Sequence, residues 1–336
     1  MNQREHGGSL EVGIKNFMQS TGRDKILKIL DEMERPWIDE SMKLRPEKVM
    51  DRPCPVCGSS KYRTAFVKDG FPHIICSQCS MMYVSPILKR ELSEDWFRGS
   101  VELDSWVDVL LNENQRKFDE PKFLRGMKLL EEYSTLPGRR LLDIGCAVGN
   151  FLSIAREKGW KGVGLELTQK AVDYCESINL DVRQEILTPN TFQKGSFDVV
   201  TMWDVLEHIL DPIEILKTIY NVLKPGGLLL LRVPNGYSLA ARILQEKCLV
   251  FAGYSHVSLF STRTLRKITE SSGFKTIFLE TVNPESNVIN NYLQYQDPYL
   301  GDSIERGSIL NGLIEEDKLF AKDLGYSIFT IVKRID

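Results

Sequence analysis

The sequence predicts an α/β fold in which a doubly wound, mostly parallel sheet follows a small cysteine-bearing module. Three observations predict it. First, Leu141-Leu142-Asp143-Ile144 reads as a short buried strand. It runs into Gly145 and Gly149, then into an amphipathic stretch with Phe151, Leu152, Ile154 and Ala155. That is a strand, a glycine loop and a helix N-terminus, and glycine lets the backbone approach a ligand closely. Second, Val163–Leu167 is another short apolar strand. It carries Glu166, 23 residues after Asp143, where a doubly wound fold places a carboxylate for ribose hydroxyls. Third, strand-like runs at 139–145, 162–167, 180–184, 197–202 and 227–233 alternate with helical segments, which implies a parallel sheet covered on both faces.

Taken in order, residues 1–50 read as a charged helical segment, with Ile26, Leu27, Leu30 and Met33 at helical spacing. Residues 51–88 change character. They hold Cys54-Pro55-Val56-Cys57 and Cys76-Ser77-Gln78-Cys79, with strand-like runs at Tyr62–Val67, His73–Cys76 and Met82–Val84. Two C-x-x-C knuckles at this separation are the signature of a structural zinc site with four thiolates. So short a module buries too little core to fold alone, and metal binding supplies its folding energy. With four thiolates in the shell, His73 is expected to be surface-exposed or partly packed. The stretch from Asp51 to Arg90 carries six basic residues against two acidic ones, a mildly positive field suited to a phosphate. Residues 89–135 are a helical linker with apolar faces from Trp96, Trp106, Phe118, Phe123 and Met127, placed to cover a cofactor. Residues 136–336 form the large domain. There Lys224-Pro225-Gly226-Gly227 is expected to turn into the fifth strand, and Phe274–Thr281 and Ser327–Lys333 to finish the sheet as an antiparallel pair.

Composition bounds the function. The chain has 336 residues, 42% hydrophobic and 26% charged, with a net charge of −3 and a pI near 6.0. No stretch approaches the roughly 20 apolar residues that span a bilayer, and Met1–His6 has no apolar signal core, so the expected setting is the cytoplasm. The charge shows no bias toward nucleic acid. Seven cysteines, four of them in two close pairs, argue for a metal site in a reducing compartment rather than a disulfide framework.

The loop is Asp-x-Gly-x-x-x-Gly, not the Gly-x-Gly-x-x-Gly of dinucleotide binders. Downstream come Phe197–Met202, then Asp204-Val205-Leu206-Glu207-His208, then Leu223–Leu231. In these residues the chain, over about 120–336, closely resembles the class I S-adenosylmethionine-dependent methyltransferases. The resemblance implies a Rossmann-like seven-stranded sheet with that cofactor across the strand C-termini. It implies that Gly145 and Gly149 make room for the amino-acid tail and that Asp143, holding the loop or accepting from the cofactor through water, and Cys146 are also cofactor-binding residues. Asn150 and Phe151 then lie near the tail or adenosine, Glu166 takes the ribose diol, and Leu167 covers the adenine edge. Glu185 and Ile186 meet the adenine, and Met202 and Trp203 lie beside the methionine part. A zinc ribbon ahead of such a domain resembles enzymes of bacterial sugar, polysaccharide and secondary-metabolite pathways.

Asp204, Glu207 and His208 are spaced i, i+3 and i+4, which on a helix puts them on one face. His208, His256 and Glu207 are the candidate catalytic residues, with His208 as general base or, alternatively, only packed. The motif is similar to the Glu-x-x-Glu-His of ubiquinone-pathway and small-RNA O-methyltransferases, some of which hold a divalent ion. That makes Mg2+ at Asp204, Glu207 and His208 a further expectation, with His256 as another ligand. Tyr237, Tyr254 and His256 are candidate acceptor contacts. The function expected is methyl transfer to a polar small molecule, foremost a hydroxyl of a sugar or nucleotide sugar. The alternatives are an RNA methyltransferase gripping RNA through the ribbon, a sugar C-methyltransferase, or a non-catalytic binding protein. Neither membrane nor nucleic acid is an expected partner, and the oligomeric state is not legible.

Overall fold

A computed structural model describes residues 14–301 and 315–335. The first thirteen residues of the expected helical segment, residues 302–314 and Asp336 lie outside the described residues.

The chain starts with α1 (Ile14–Thr21) and α2 (Arg23–Glu32), hinged at Gly22, whose φ of +79° needs glycine. Ile26 is buried, as its helical spacing requires. Five short strands follow: β1 (Val49–Met50), β2 (Tyr62–Lys68), β3 (Phe71–Cys76), β4 (Met82–Val84) and β5 (Ile87–Leu88). Three helices come next, α3 (Arg90–Gly99), α4 (Val101–Leu111) and α5 (Glu113–Tyr133). Ser100 and Asn112 cap the last two, each accepting from backbone N–H groups of the first turn.

From here strands and helices alternate: β6 (Arg140–Ile144), α6 (Asn150–Glu157), β7 (Lys161–Leu165), α7 (Gln169–Ser177), β8 (Val182–Arg183), β9 (Phe197–Trp203), α8 (Pro212–Val222) and β10 (Leu223–Pro234). An insertion holds α9 (Leu239–Leu244) and β11 (Ser258–Leu259). Then come α10 (Thr262–Ser271), β12 (Phe274–Val282), α11 (Ser286–Leu293), α12 (Glu316–Ala321) and β13 (Ser327–Arg334). The large sheet has seven strands in the order β12-β13-β10-β9-β6-β7-β8. Five are parallel and β13 runs antiparallel between β10 and β12. Strand order reverses between β6 and β9, and ligands of such sheets bind outside the strand C-termini at that point.

Side-chain alternation divides the core. Leu142, Val200, Met202, Leu229 and Leu231 pack one face with Leu216, Ile219 and Ile268. Leu141, Val199, Trp203 and Leu230 pack the other with Met127, Leu130, Phe151 and Leu152. Two expectations change. The third strand shrinks to Val182–Arg183. The fifth begins at Leu223, so Lys224–Gly227 is a break within a strand rather than a turn before it. Leu223 pairs with Phe197, and the ladder resumes only at Leu228, because Pro225 has no N–H to give and Gly226 sits at φ +75°.

The small module does not close on itself. Its sheet runs β11-β4-β3-β2, so the outer strand comes from the insertion after β10. Arg52 ties the same seam: its guanidinium donates to the carbonyls of Val84, Leu210 and Val257 and to Ser258 Oγ. No helix among the described residues is long and apolar enough to cross a membrane.

Candidate functional site

A cleft of about 2540 Å³ opens above the C-terminal ends of β6, β7 and β9 and is roofed by α2 to α5. Its glycine-loop side is built locally. Gly145 (φ +68°) and Gly149 (φ +70°) are required twice over: a Cβ would also lie 2.5 Å from Val205 at the first and 2.3 Å from Leu180 at the second. Gly145 lines the cleft, whereas Gly149 packs behind it. Glu166 clasps the loop. Its Oε2 accepts from Ala147 N–H at 2.9 Å, and its Oε1 accepts from Leu167 and Thr168 N–H at 2.7 and 2.9 Å. A carboxylate has about four acceptor positions, so the oxygen on Ala147 keeps a lone pair for the cleft. Asp143 lies beneath, accepting from Thr201 Oγ1 at 2.6 Å. Burial, opposed by that hydrogen bond and abetted by the Glu166 charge, pushes its carboxyl up to about 7. Cys146 is buried beside Cys175, which holds its thiol in the protonated form.

Asn150 and Leu167 line the cleft, as do Glu185 and Ile186 at its mouth, where Glu185 pairs with Arg183 at 3.6 Å. Phe151 and Trp203 line it too, but as part of an aromatic group with Phe123, with ring centroids 5.0–6.0 Å apart. Trp203 is why α5 carries Gly126: a Cβ there would lie 2.5 Å from the indole. Met202 is a correction. It is fully buried on the opposite face of β9 and does not line the cleft, since neighbouring residues of a strand point to opposite faces.

The acceptor side differs from expectation. Leu206–His208 is a single 3-10 turn, not an α-helix, so the face expected from i, i+3 and i+4 spacing does not form. Asp204, at φ +57°, turns to pair with the Arg232 guanidinium. Glu207 and His208 instead meet His256 from the insertion, with one ligand atom of each lying within 4.8 Å of the others. The two rings are 4.8 Å apart. His208 Nδ1 faces the Ser255 carbonyl at 3.1 Å and His256 Nδ1 the Val250 carbonyl at 2.8 Å. A carbonyl only accepts, so both Nδ1 atoms carry the proton and the Nε2 atoms are the basic ones; the Asp204 backbone also acts on the His208 ring. Burial and the neighbouring His256 push His208 down to about 3, and burial lowers His256. Both carboxylate oxygens of Glu207 are buried without a hydrogen-bond partner among the described residues, and burial holds the group protonated well above the carboxylate range. A buried acid with no partner beside two neutral imidazoles fits either a proton relay or a divalent metal. Asp204 is not in the set, and one carboxylate with two imidazoles is a softer donor set than Mg2+ prefers.

Tyr254 lines the cleft against Trp96. Tyr237 does not line it: its hydroxyl donates to the Ser80 carbonyl at 2.6 Å, at the seam with the small module. In that module the four thiols lie within 4.8 Å of one another, with Cys54–Cys79 and Cys57–Cys76 sulfurs at 3.5 Å. A zinc tetrahedron with bonds of about 2.3 Å has sulfur–sulfur edges of roughly 3.8 Å, so the four residues fit the ion. His73 is not at the surface. It is fully buried, stacked on Phe66 at 4.7 Å and edge-on to Phe251 at 5.4 Å.

Sequence reasoning missed a group of charged cleft residues: Arg23, Asp119, Lys122, Arg232 and Glu285. One signal was available. Arg232 is a lone cation in the apolar run Leu228–Val233, and a strand buried on both faces holds a charge only where it meets a partner.

Residues 113–278 match the family model described as a methyltransferase domain. A ubiquinone biosynthesis O-methyltransferase of Xanthomonas campestris pv. campestris (strain B100) is 34% identical over 116 residues, 31% of this chain and 48% of the relative. The enzyme of that name from Methylococcus capsulatus is 29% identical over 108 residues, 30% of this chain and 46% of the relative. The chain spans about half the length of the curated relatives it matches. Among solved structures, a SAM-dependent methyltransferase from Archaeoglobus fulgidus matches 73% of this chain and 99% of its own, at 19% identity and a TM-score of 0.45. Residues 113–278 thus carry a methyltransferase domain.

Proposed function

We propose that this methyltransferase domain moves the methyl group of S-adenosylmethionine onto a hydroxyl of a polar small molecule, a sugar or nucleotide sugar. One observation carries the proposal: the clasped loop residues Asp143–Val148 and the group Glu207, His208 and His256 line the same cleft. Bound along the loop, S-adenosylmethionine supplies a methyl group on a sulfonium that is already a good leaving group. The Glu166 oxygen with a free lone pair and the Asn150 end of α6 are the groups that would hold its ribose and tail. The chain must then align the acceptor and take its proton. As the acceptor oxygen bonds to the methyl carbon, the carbon–sulfur bond breaks and the hydroxyl proton passes to Nε2 of His208 or His256. The Ser255 and Val250 carbonyls stabilise the imidazolium that forms, each accepting from Nδ1–H. Oxygen as the acceptor atom accords with the name of the ubiquinone relatives.

Zinc on Cys54, Cys57, Cys76 and Cys79 is part of the proposal, in a structural role. The module it would hold pairs β4 with β11 two residues after His256, so the ion would help position one of the two bases.

The test is incubation of the full chain with methyl-labelled S-adenosylmethionine and a panel of sugars and nucleotide sugars, with mass spectrometry of the products. Label on an acceptor oxygen is the expected result. Calorimetric binding of S-adenosylmethionine with no transfer to any acceptor would favour a non-catalytic binding protein. No binding would overturn the proposal.

A further inference from the structure

Arg23 opens α2, far in sequence from the methyltransferase domain, yet it lines the cleft. It is held with unusual completeness on one side only. Its guanidinium lies over the rings of Trp106 and Phe17, at 4.8 and 5.4 Å. Its Nε donates to Gln115 Oε1 at 2.8 Å, Gln115 Nε2 donates to Asp119 Oδ2 at 2.7 Å, and Lys122 Nζ closes the chain on Asp119 Oδ1 at 2.7 Å. Gln115 and Asp119 are buried. This relay fixes the plane of the guanidinium. The two terminal amino groups of Arg23 have no partner among the described residues.

No carboxylate among the described residues pairs directly with Arg23. Asp119 is paired to Lys122, and Asp204 to Arg232. Glu285 is pushed up to about 7 by burial. The cleft's other arginines Arg35, Arg90 and Arg125 each have a carboxylate partner, whereas Lys68, which donates to the Cys248 carbonyl, and Lys128 line the cleft as flexible ammonium groups. Asp119, Glu285 and Arg232 are the charges that act most on Arg23. That places it near Asp119, Glu285 and Arg232 in the cleft.

We propose that Arg23 is a built oxyanion fork, which takes a phosphate or carboxylate group of the methyl acceptor through its two free amino groups. This rests on the proposal of methyl transfer in the same cleft and narrows it, from polar acceptors at large to anionic ones: a nucleotide sugar or a sugar acid rather than a neutral sugar. A planar guanidinium matches two oxygens of either group at once, which an ammonium does not. Stacking on Trp106 and the Nε bond fix its orientation before the ligand arrives, which lowers the ordering cost of binding.

The experiment is calorimetry on the full chain, with inorganic pyrophosphate and with glucuronate as probes, each in the absence and presence of S-adenosylhomocysteine. Saturable binding of one probe is expected, and which one binds separates phosphate from carboxylate. In Arg23→Gln that binding should fall by about tenfold or more, as for a lost charge-assisted pair, while S-adenosylhomocysteine affinity holds. Arg23→Lys, which keeps the charge and loses the fork, should recover only part of it. Circular dichroism checks that both variants fold. Wild-type protein binding neither anion, or Arg23→Gln binding as well as wild type, would overturn the fork. Loss of S-adenosylhomocysteine binding would overturn the methyl-transfer proposal instead, and the anion measurements without it still decide the role of Arg23.

Discussion

The two sides of the cleft are built on opposite principles. The glycine-loop side comes from one stretch of chain, β6 to the start of α7, and its polar groups are largely matched: Glu166 holds three backbone N–H groups and Asp143 holds Thr201. The acceptor side is gathered from α2, α5, the turn after β9, the insertion and the loop before α11. Among the described residues it holds a carboxyl with no partner, two imidazoles with basic Nε2 atoms and an arginine whose terminal amino groups have no partner. Matched groups make a rigid cradle for one invariant molecule. Unmatched ones cost stability and remain available for chemistry.

The largest effect should come from breaking the acceptor side at its root. Cys57→Ser, or zinc stripped by chelator, should abolish methyl transfer, because β11 and the segment carrying His256 lose the β4 edge they pair with. Cofactor binding measured by calorimetry should survive. Loss of both together would show that the two sides are not separable, and metal analysis finding no zinc in protein purified with reduced thiols would remove the ion.

Next in size, His208→Ala should lower turnover by roughly 10²–10⁴-fold if it is the base, with cofactor affinity unchanged. Because His208 is pushed down to about 3, it is already deprotonated at neutral pH. The rate should therefore show no step near pH 6.5 from this residue. Stability should show one. His208 and His73, both near 3 in the fold, take up protons in the unfolded chain at about 6.5. The part of the unfolding free energy that these two histidines contribute should then fall as pH drops from about 6.5 toward 3, at up to about 1.4 kcal/mol per pH unit for each. Asp143 and Glu285, pushed up to about 7, and the raised Glu207 act in the opposite sense, so the histidine part is read as the difference between wild type and His73 and His208 variants. Denaturant titrations across that range would check it. If activity instead vanishes with chelator and returns with a divalent ion while the zinc module stays loaded, the group is a metal centre.

On the matched side, Glu166→Ala should weaken S-adenosylmethionine by about ten- to hundredfold. It should also cost about 1–3 kcal/mol of stability, because three backbone N–H groups lose their acceptor. A variant with unchanged melting and weakened binding would show that the clasp forms only with ligand. The smallest effect is expected at Tyr237→Phe, which removes one hydrogen bond to the Ser80 carbonyl, about 0.5–1.5 kcal/mol, and leaves turnover alone.

The same contrast explains what could be read from the sequence. Strand periodicity, the glycine loop, Glu166 and the cysteine knuckles are local patterns, and they appear where their spacing indicated, except that the third strand is only Val182–Arg183 and the fifth begins at Leu223. Met202 was misplaced because a strand end says which residues are near, not which face they point to. The helix expected at Asp204–His208 failed because Asp204 adopts a left-handed backbone and is drawn to Arg232, a partner on another strand. Gln115 looks like an ordinary surface residue of a charged helix until α2 brings Arg23 against it.

The seam between β4 and β11 also sets an order of events during synthesis. Tyr83 finds its partner only when Ser258 has been made, so most of the large sheet leaves the ribosome before the small one can be completed. Until then β4 is an open edge, which in a nascent chain is a template for wrong pairing. A fragment ending before residue 258 should therefore aggregate even when its four cysteines are loaded with metal, and co-expression of the missing C-terminal part should rescue its solubility.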